Sequence, residues 1–153
     1  MDRFTLIKQF LNEKHKTAIM HEHYLNTVRE YAPGTNLYMR EVHFLIAANP
    51  EQPVSITEVA NRLEVTLGAA SQMATKLEKK GLVFRSPDPE DRRRTMVSLT
   101  EAGIRLYQEH LEYDKKSVEA LSEIFQEFSE EEVQKLIQAE SLFRQALRKA
   151  SIK

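Results

Sequence analysis

The sequence predicts a mainly α chain with one small β hairpin, and three observations carry that prediction. Residues 57–80 hold two short apolar-faced segments, each opened by a threonine and separated by Glu64-Val65. From Leu82 the period shortens to that of strands, around a turn that holds Arg92-Arg93-Arg94. Long stretches of heptad-like spacing lie on either side. The order is helix, turn, helix, hairpin, helix: a winged helix-turn-helix framed by long N- and C-terminal helices suited to hold two copies at a fixed distance.

The expected organisation is an N-terminal dimerisation helix over 1–34, a winged helix-turn-helix lobe over 35–100 and C-terminal dimerisation helices over 101–153, all in one compact domain. Residues 2–31 contain no Gly or Pro. Phe4, Ile7, Leu11, Ala18, Leu25 and Val28 recur on one helical face, with Lys14 and His21 on the same seam. Pro33-Gly34 is expected to end that helix. A second helix is expected from about Tyr38 to Asn49, with Val42, Leu45 and Ile46 buried. Pro50 and Pro53 then force an extended connection, and Val54-Ser55-Ile56 reads as a short strand.

Thr57 is expected to cap the next helix, whose apolar side is Val59, Ala60 and Leu63. Thr66 caps a further helix that runs to about Lys80 and ends at Gly81. Its inward face is Ala70, Met73, Ala74 and Leu77. Leu82–Ser86 and Arg94–Leu99 read as the two strands of the wing, with Pro87-Asp88-Pro89 as turn chemistry. Thr100 caps a helix from Glu101 to about Phe125, with the stripe Ile104, Tyr107, Leu111, Val118, Leu121, Phe125 and Phe128. Asp114 interrupts that stripe. Ser129 to Glu132 forms a capping box for the last helix, which uses Val133, Leu136, Ile137, Phe143 and Leu147.

Composition excludes several classes. The 153 residues are 41% hydrophobic and 29% charged, enough for a core and too apolar for a disordered chain. No apolar run is long enough to span a membrane, and the first residues lack a secretion signal, so a cytoplasmic protein is expected. With no cysteine, disulfides and thiol chemistry are excluded. No nucleophile has a matched base, no glycine loop cradles phosphate, and Ser71 and His43 lie on different helices, so no enzyme is expected. The net charge of −1 conceals an asymmetry: residues 57–100 hold eight basic side chains against six acidic, and residues 101–153 eight against eleven. Positive charge therefore gathers on the central segment, where phosphates would bind.

An α-helix fits the major groove of duplex DNA. On the helix after Thr66, Gly68 permits close backbone approach. Ser71, Gln72 and Thr75 are hydrogen-bonding side chains of modest bulk, and Gln72 suits bidentate pairing with adenine. Lys76 and Lys79 are placed for phosphates. Arg92, Arg93 and Arg94 suit the negative potential of a narrow minor groove, with Asp91 expected to brace them by pairing with Arg85 or Arg93. The alternative use of such a lobe is a protein–protein adaptor, which has no need of an arginine tip and a helix face stripped of bulk.

Leu77-Glu78-Lys79-Lys80-Gly81-Leu82-Val83 with Arg85, followed by Asp91, Arg93, Val97, Leu99, Thr100 and Gly103, resembles the MarR family of winged-helix transcriptional regulators. The spacing D-x-R-x-x-x-V-x-L-T-x-x-G is matched in full. The resemblance implies a homodimer whose first and last helices intertwine, and two recognition helices in successive major grooves of a pseudo-palindromic operator. It places Arg93 in the minor groove and implies repression by promoter blockage. Arg94 departs from the small residue often found there.

The resemblance also implies an effector, though no cofactor is required. Tyr38, Tyr107, His21 and Asp114 are candidate ligand residues, with His43 and His110. His43, Glu109 and His110 resemble the helix-borne set of the zinc-responsive branch. Arg40 to His43 and Val65 to Ser71 resemble the branch that regulates fatty-acid synthesis and binds acylated carrier protein. A small aromatic or lipophilic molecule near Tyr24, Tyr38, Phe44 and Tyr107 is the third candidate.

Overall fold

The computed structural model describes residues 2–151, except the side chains of Ala32 and Ser151. The elements are α1 (Arg3–Leu25), β1 (Val28–Ala32), β2 (Thr35–Tyr38), α2 (Met39–Ala48), β3 (Val54–Ser55), α3 (Ile56–Leu63), α4 (Leu67–Lys79), β4 (Val83–Pro87), β5 (Thr95–Leu99), α5 (Glu101–Ser122) and α6 (Glu130–Ser151). The fold is mainly α with a small antiparallel wing, as the sequence predicts. Two compact units are present, one up to His110 and one from Leu111 onward. No described helix is long and apolar enough to cross a membrane.

The first helix is shorter than its periodicity suggests. It ends at Leu25, with Asn26 at its C-terminus, and Thr27 donates its backbone N–H to the Tyr24 carbonyl at 3.0 Å. Val28 to Tyr38 then forms a hairpin, β1 antiparallel to β2, with Pro33-Gly34 at its turn and Gly34 at φ +78°. The expectation of helix to residue 31 is corrected. Val28 and Tyr31 favour strand, and Pro33-Gly34 reverses an existing strand instead of ending a helix.

The core lies in the lobe that follows. Leu37, Met39, Val42, Phe44, Leu45, Val59, Ala70, Ala74, Leu77, Val83 and Val97 are buried together. A three-stranded antiparallel sheet in the order β3-β5-β4 closes one side, with Val54 opposite Val97 and Val83 opposite Leu99. Thr57 does not cap α3: Ser55 does, its Oγ accepting the Glu58 N–H at 3.2 Å. The helix thus begins directly from the strand, two residues earlier than expected.

Thr100 and Gly103 join the wing to α5. Thr100 Oγ1 donates to the Gly81 carbonyl at 2.7 Å and accepts the Gly103 N–H at 3.1 Å. A Cβ on Gly103 would sit 2.1 Å from the Leu82 carbonyl oxygen, so only glycine lets α5 approach this closely. The helix ends at Ser122, before Phe125 and Phe128 of the expected stripe. Ser129 caps α6 as expected: Glu132 Oε2 accepts the Ser129 N–H at 2.8 Å, and Ser129 Oγ accepts the Glu132 N–H at 3.3 Å.

Candidate nucleic-acid interface

α3 and α4 meet at a turn set by backbone bonds. Glu64 adopts φ 56° and ψ 38°, left-handed helical values, and the Val65 N–H reaches the Ala60 carbonyl at 3.0 Å. Thr66 Oγ1 accepts the Ala69 N–H at 3.1 Å and starts α4. Arg62 ties α3 to α2 through the Ala47 carbonyl at 2.7 Å. At the far end, Gly81 at φ +71° and a Leu82 N–H bond to Leu77 O at 3.0 Å stop α4 in a Schellman-type cap.

The faces of α4 sort as the sequence predicts. Ala70, Ala74 and Leu77 are buried, whereas Thr66, Gly68, Gln72, Lys76 and Lys79 are exposed. Ser71 and Thr75 are half-buried, and the Thr75 hydroxyl donates to Ser71 O at 3.0 Å. That bond uses the Thr75 hydrogen, leaving its oxygen as an acceptor. A Cβ at Gly68 would meet nothing of the protein closer than Thr66 Oγ1 at 4.0 Å. The protein's own packing therefore does not require glycine there, unlike at Gly103.

The wing tip is braced in layers. The Arg94 N–H closes the turn on Asp91 O at 2.8 Å, and the Asp88 N–H bonds Arg94 O at 3.0 Å. Asp91 Oδ1 accepts both the backbone N–H and the Nε of Arg93 at 3.1 Å, and Oδ2 lies 3.3 Å from Arg93 Nη2. These Arg93 bonds, side chain first and backbone second, hold the Asp91 carboxyl below the usual range. The Arg93 side chain itself remains 91% exposed. Arg94 Nη1 lies 3.3 Å from Asp88 Oδ2, a nearly buried carboxylate that also accepts the Glu90 N–H. Arg92 makes no ion pair among the described residues.

Arg85 does not brace Asp91. Its Nε donates to Glu78 Oε2 at 3.0 Å and its backbone N–H to Glu78 Oε1 at 3.2 Å. The Arg85 guanidinium is the main cause that lowers the Glu78 pKa. The pair locks the base of the wing to the last turns of α4. The sequence marks Asp88 as turn chemistry and Glu78 as part of the signature but gives neither a bracing role, because a carboxylate in a turn and one on a helix look solvated until the chain folds. Arg85, Arg92 and Arg94 face one hollow of about 440 Å³ with Glu78, Ser86, Pro87 and Thr95.

The candidate ligand residues separate into groups. His21, Tyr24, His43, His110 and Tyr31 form a succession of rings with centroids 6.0, 6.2, 6.0 and 6.4 Å apart. The Tyr31 hydroxyl lies 3.3 Å from His110 Nδ1, and His110 is fully buried. Of the small-molecule candidates, Tyr24 joins the ring succession; Tyr31 has no signal in the sequence, and its place there comes from tertiary packing. Tyr38 is exposed on the hairpin, and Tyr107 packs against the lobe core. Glu109 lines a separate cleft of about 130 Å³ with Tyr31, Thr35, Leu82, Ala102, Arg105 and Leu106. Among the described residues no three His, Asp or Glu side chains gather as a metal-holding group, so Glu109 does not join His43 and His110. Asp114 is half-buried in the second unit.

Residues 37–95 match the model of the MarR family. The chain is 27% identical over 144 residues to the uncharacterised HTH-type transcriptional regulator YhjH of Bacillus subtilis, a match covering 94% of this chain and 75% of that protein. Several further curated regulators are matched over about half their length. Among solved structures, the transcriptional regulator BldR of Sulfolobus solfataricus is 27% identical with a TM-score of 0.70, covering 95% of this chain and 99% of that one. FabT of Streptococcus pneumoniae, solved in complex with DNA, is 24% identical with a TM-score of 0.65 over 96% and 99% of the two chains, a likeness of fold. With the capped helix pair, the braced wing and the Thr100–Gly103 joint in place, residues 37–95 form a winged helix-turn-helix similar to that of the MarR family, whose model they match.

Proposed function

We propose that the chain works as a homodimeric, effector-responsive repressor that grips a pseudo-palindromic operator with two copies of this lobe. The observation that carries the reading is the wing tip. Arg93 is almost fully exposed, yet its guanidinium is aimed by two contacts to Asp91. An exposed arginine held in one pose is prepared for an external anion, because the entropy of fixing it is already met. Arg93 enters the minor groove, and Arg92 and Arg94 lie against the flanking phosphates. Gly68, Ser71, Gln72 and Thr75 face base edges, while Thr66 and Lys76 face the backbone.

α1 and α6 supply the dimer. Phe4, Ile7 and Leu11 on α1 and Ile137, Leu142 and Leu147 on α6 are exposed in the single chain. A second copy offers the same faces, and a symmetric pair covers both at once. The effector seat is the ring succession from His21 to His110. It offers aromatic faces to a lipophilic small molecule or to the chain of an acylated carrier. Bound dimer over a promoter excludes polymerase, and the whole assembly works in the cytoplasm.

The test is operator binding by Arg93→Ala. A duplex is first selected by the protein from a random-sequence pool. Loss of one groove contact weakens binding by roughly 1–3 kcal/mol with the circular dichroism spectrum unchanged. Parent binding falls steeply with salt, because several phosphates are neutralised. Equal affinity of the variant, or a flat salt titration of the parent, leaves the adaptor reading in its place.

A further inference from the structure

Lys80 behaves unlike the other lysines near the end of α4. Lys76 and Lys79 are exposed on the helix surface. Lys80, the C-cap residue, is exposed as well, but its ammonium lies against the buried carboxylate of Glu41. Nζ lies 2.9 Å from the Asn36 carbonyl oxygen, 3.0 Å from Glu41 Oε1 and 2.9 Å from Glu41 Oε2. Those three oxygens match the three N–H donors of an ammonium. Glu41 is buried at 4% exposure, and its Oε2 also accepts the Tyr38 N–H at 2.9 Å. A buried carboxylate without such partners would be strongly unfavourable. One charged knot therefore joins β2, the first turn of α2 and the end of the recognition helix.

The same hairpin and helix touch the ring succession at their other side. Tyr31 of β1 meets His110, and its hydroxyl donates to Met39 Sδ at 3.6 Å. His43 stands two residues after Glu41, with its ring 6.0 Å from that of His110. Two residues are about half a helical turn. Val42, Phe44 and Leu45 hold that turn in the core. A displacement of α2 at the rings has no soft segment to absorb it before it reaches Glu41.

We infer that the Glu41–Lys80 pair is the strut through which the ring-lined seat sets the pose of the recognition helix. Lys80 is a positioning residue, and its charge goes to Glu41 instead of a phosphate. The inference rests on the DNA-binding reading above. It makes the seat and the operator reciprocal partners: whatever shifts α2 changes operator affinity, and operator binding is felt at His43.

The experiment uses the full chain and the duplex selected from a random-sequence pool, at a temperature well below the melting point of each variant. Lys80→Met weakens binding about tenfold, within the usual range of coupling between sites, and leaves the slope of log affinity against log salt at the parent value. Lys76→Met or Lys79→Met, which remove a phosphate contact, flatten that slope by about 0.9. Glu41→Gln weakens binding as Lys80→Met does, and the double variant is no weaker than either single one. In the parent, adding duplex moves the His43 ring resonances; in Lys80→Met it does not. Parent-like affinity for Lys80→Met overturns the strut, as does a flattened slope or a His43 response equal to the parent's. Should Lys80→Met fail to fold, Glu41→Gln carries the same readouts, and parent-like affinity there overturns the inference. A pool from which no duplex is selected overturns the DNA-binding reading, and the strut with it.

Discussion

α1 and α2 are neighbours in the chain and opposites in packing. α1 has 23 residues and buries none of them, whereas α2 has ten and buries seven. In the second unit, α6 likewise buries no described side chain over 22 residues. The lobe built on α2, α3, α4 and the three-stranded sheet closes its core on itself. The long helices leave Phe4, Ile7, Ile137 and Leu142 facing water. The first kind of element is complete in one copy of the chain. The second has apolar area with no cover, and each such side chain gains roughly 1.5–3 kcal/mol when a partner buries it.

The sharpest way to break that contrast is to charge the uncovered face. Ile137→Glu on α6 removes nothing from the single chain, because the side chain is 65% exposed there. In the proposed dimer it buries a carboxylate. The expected outcome is dissociation seen by sedimentation, with the helical spectrum of the lobe kept. Operator affinity falls by about a hundredfold or more, since two linked lobes bind far more tightly than one. A variant that sediments and binds like the parent would show that α6 is not the covered face.

The next contrast lies inside the lobe, between two glycines. Gly103→Ala drives a methyl to within 2.1 Å of the Leu82 carbonyl, a backbone atom that cannot swing away. Overpacking of that kind destabilises by about 1–3 kcal/mol or more, read by urea unfolding. Gly68→Ala meets nothing closer than Thr66 Oγ1 at 4.0 Å, an ordinary contact, and gains helix propensity of roughly 0.5–1 kcal/mol. Its loss appears in operator binding alone. The two variants separate a glycine the fold requires from one its external partner requires.

The same division explains what could be read beforehand. The lobe was legible because its signals are local: Thr66 at a cap, Gly81 after a helix, Arg93 two residues from Asp91, Thr100 three from Gly103. The hairpin at 28–38 was missed because one helical period runs on through Val28, outweighing Asn26 at the helix end. Asp91 reads as a partner of Arg85 or Arg93, since both lie within six residues of it around one turn; the sequence does not separate the two, because the true partner of Arg85, Glu78, lies seven residues away on a different element. The Glu41–Lys80 knot spans 39 residues and has no sequence signature at all. Side chains that act within a few residues of each other could be named, and those joined by tertiary packing could not.

The smallest effect separates Ser55 from Thr57, two hydroxyls that compete as the cap of α3. Ser55 is buried and its Oγ holds the Glu58 N–H, whereas Thr57 is exposed one residue inside the helix. Ser55→Ala leaves a first-turn N–H without its acceptor and lowers lobe stability by about 1 kcal/mol. Thr57→Ala loses no cap and replaces a β-branched residue by a better helix former, so stability holds or rises by a few tenths. Urea unfolding with far-ultraviolet detection reads both. Because the cap belongs to a lobe that closes on itself, neither variant changes the sedimenting mass. Equal losses from the two would return the start of α3 to Thr57 and leave Ser55 as a strand residue only.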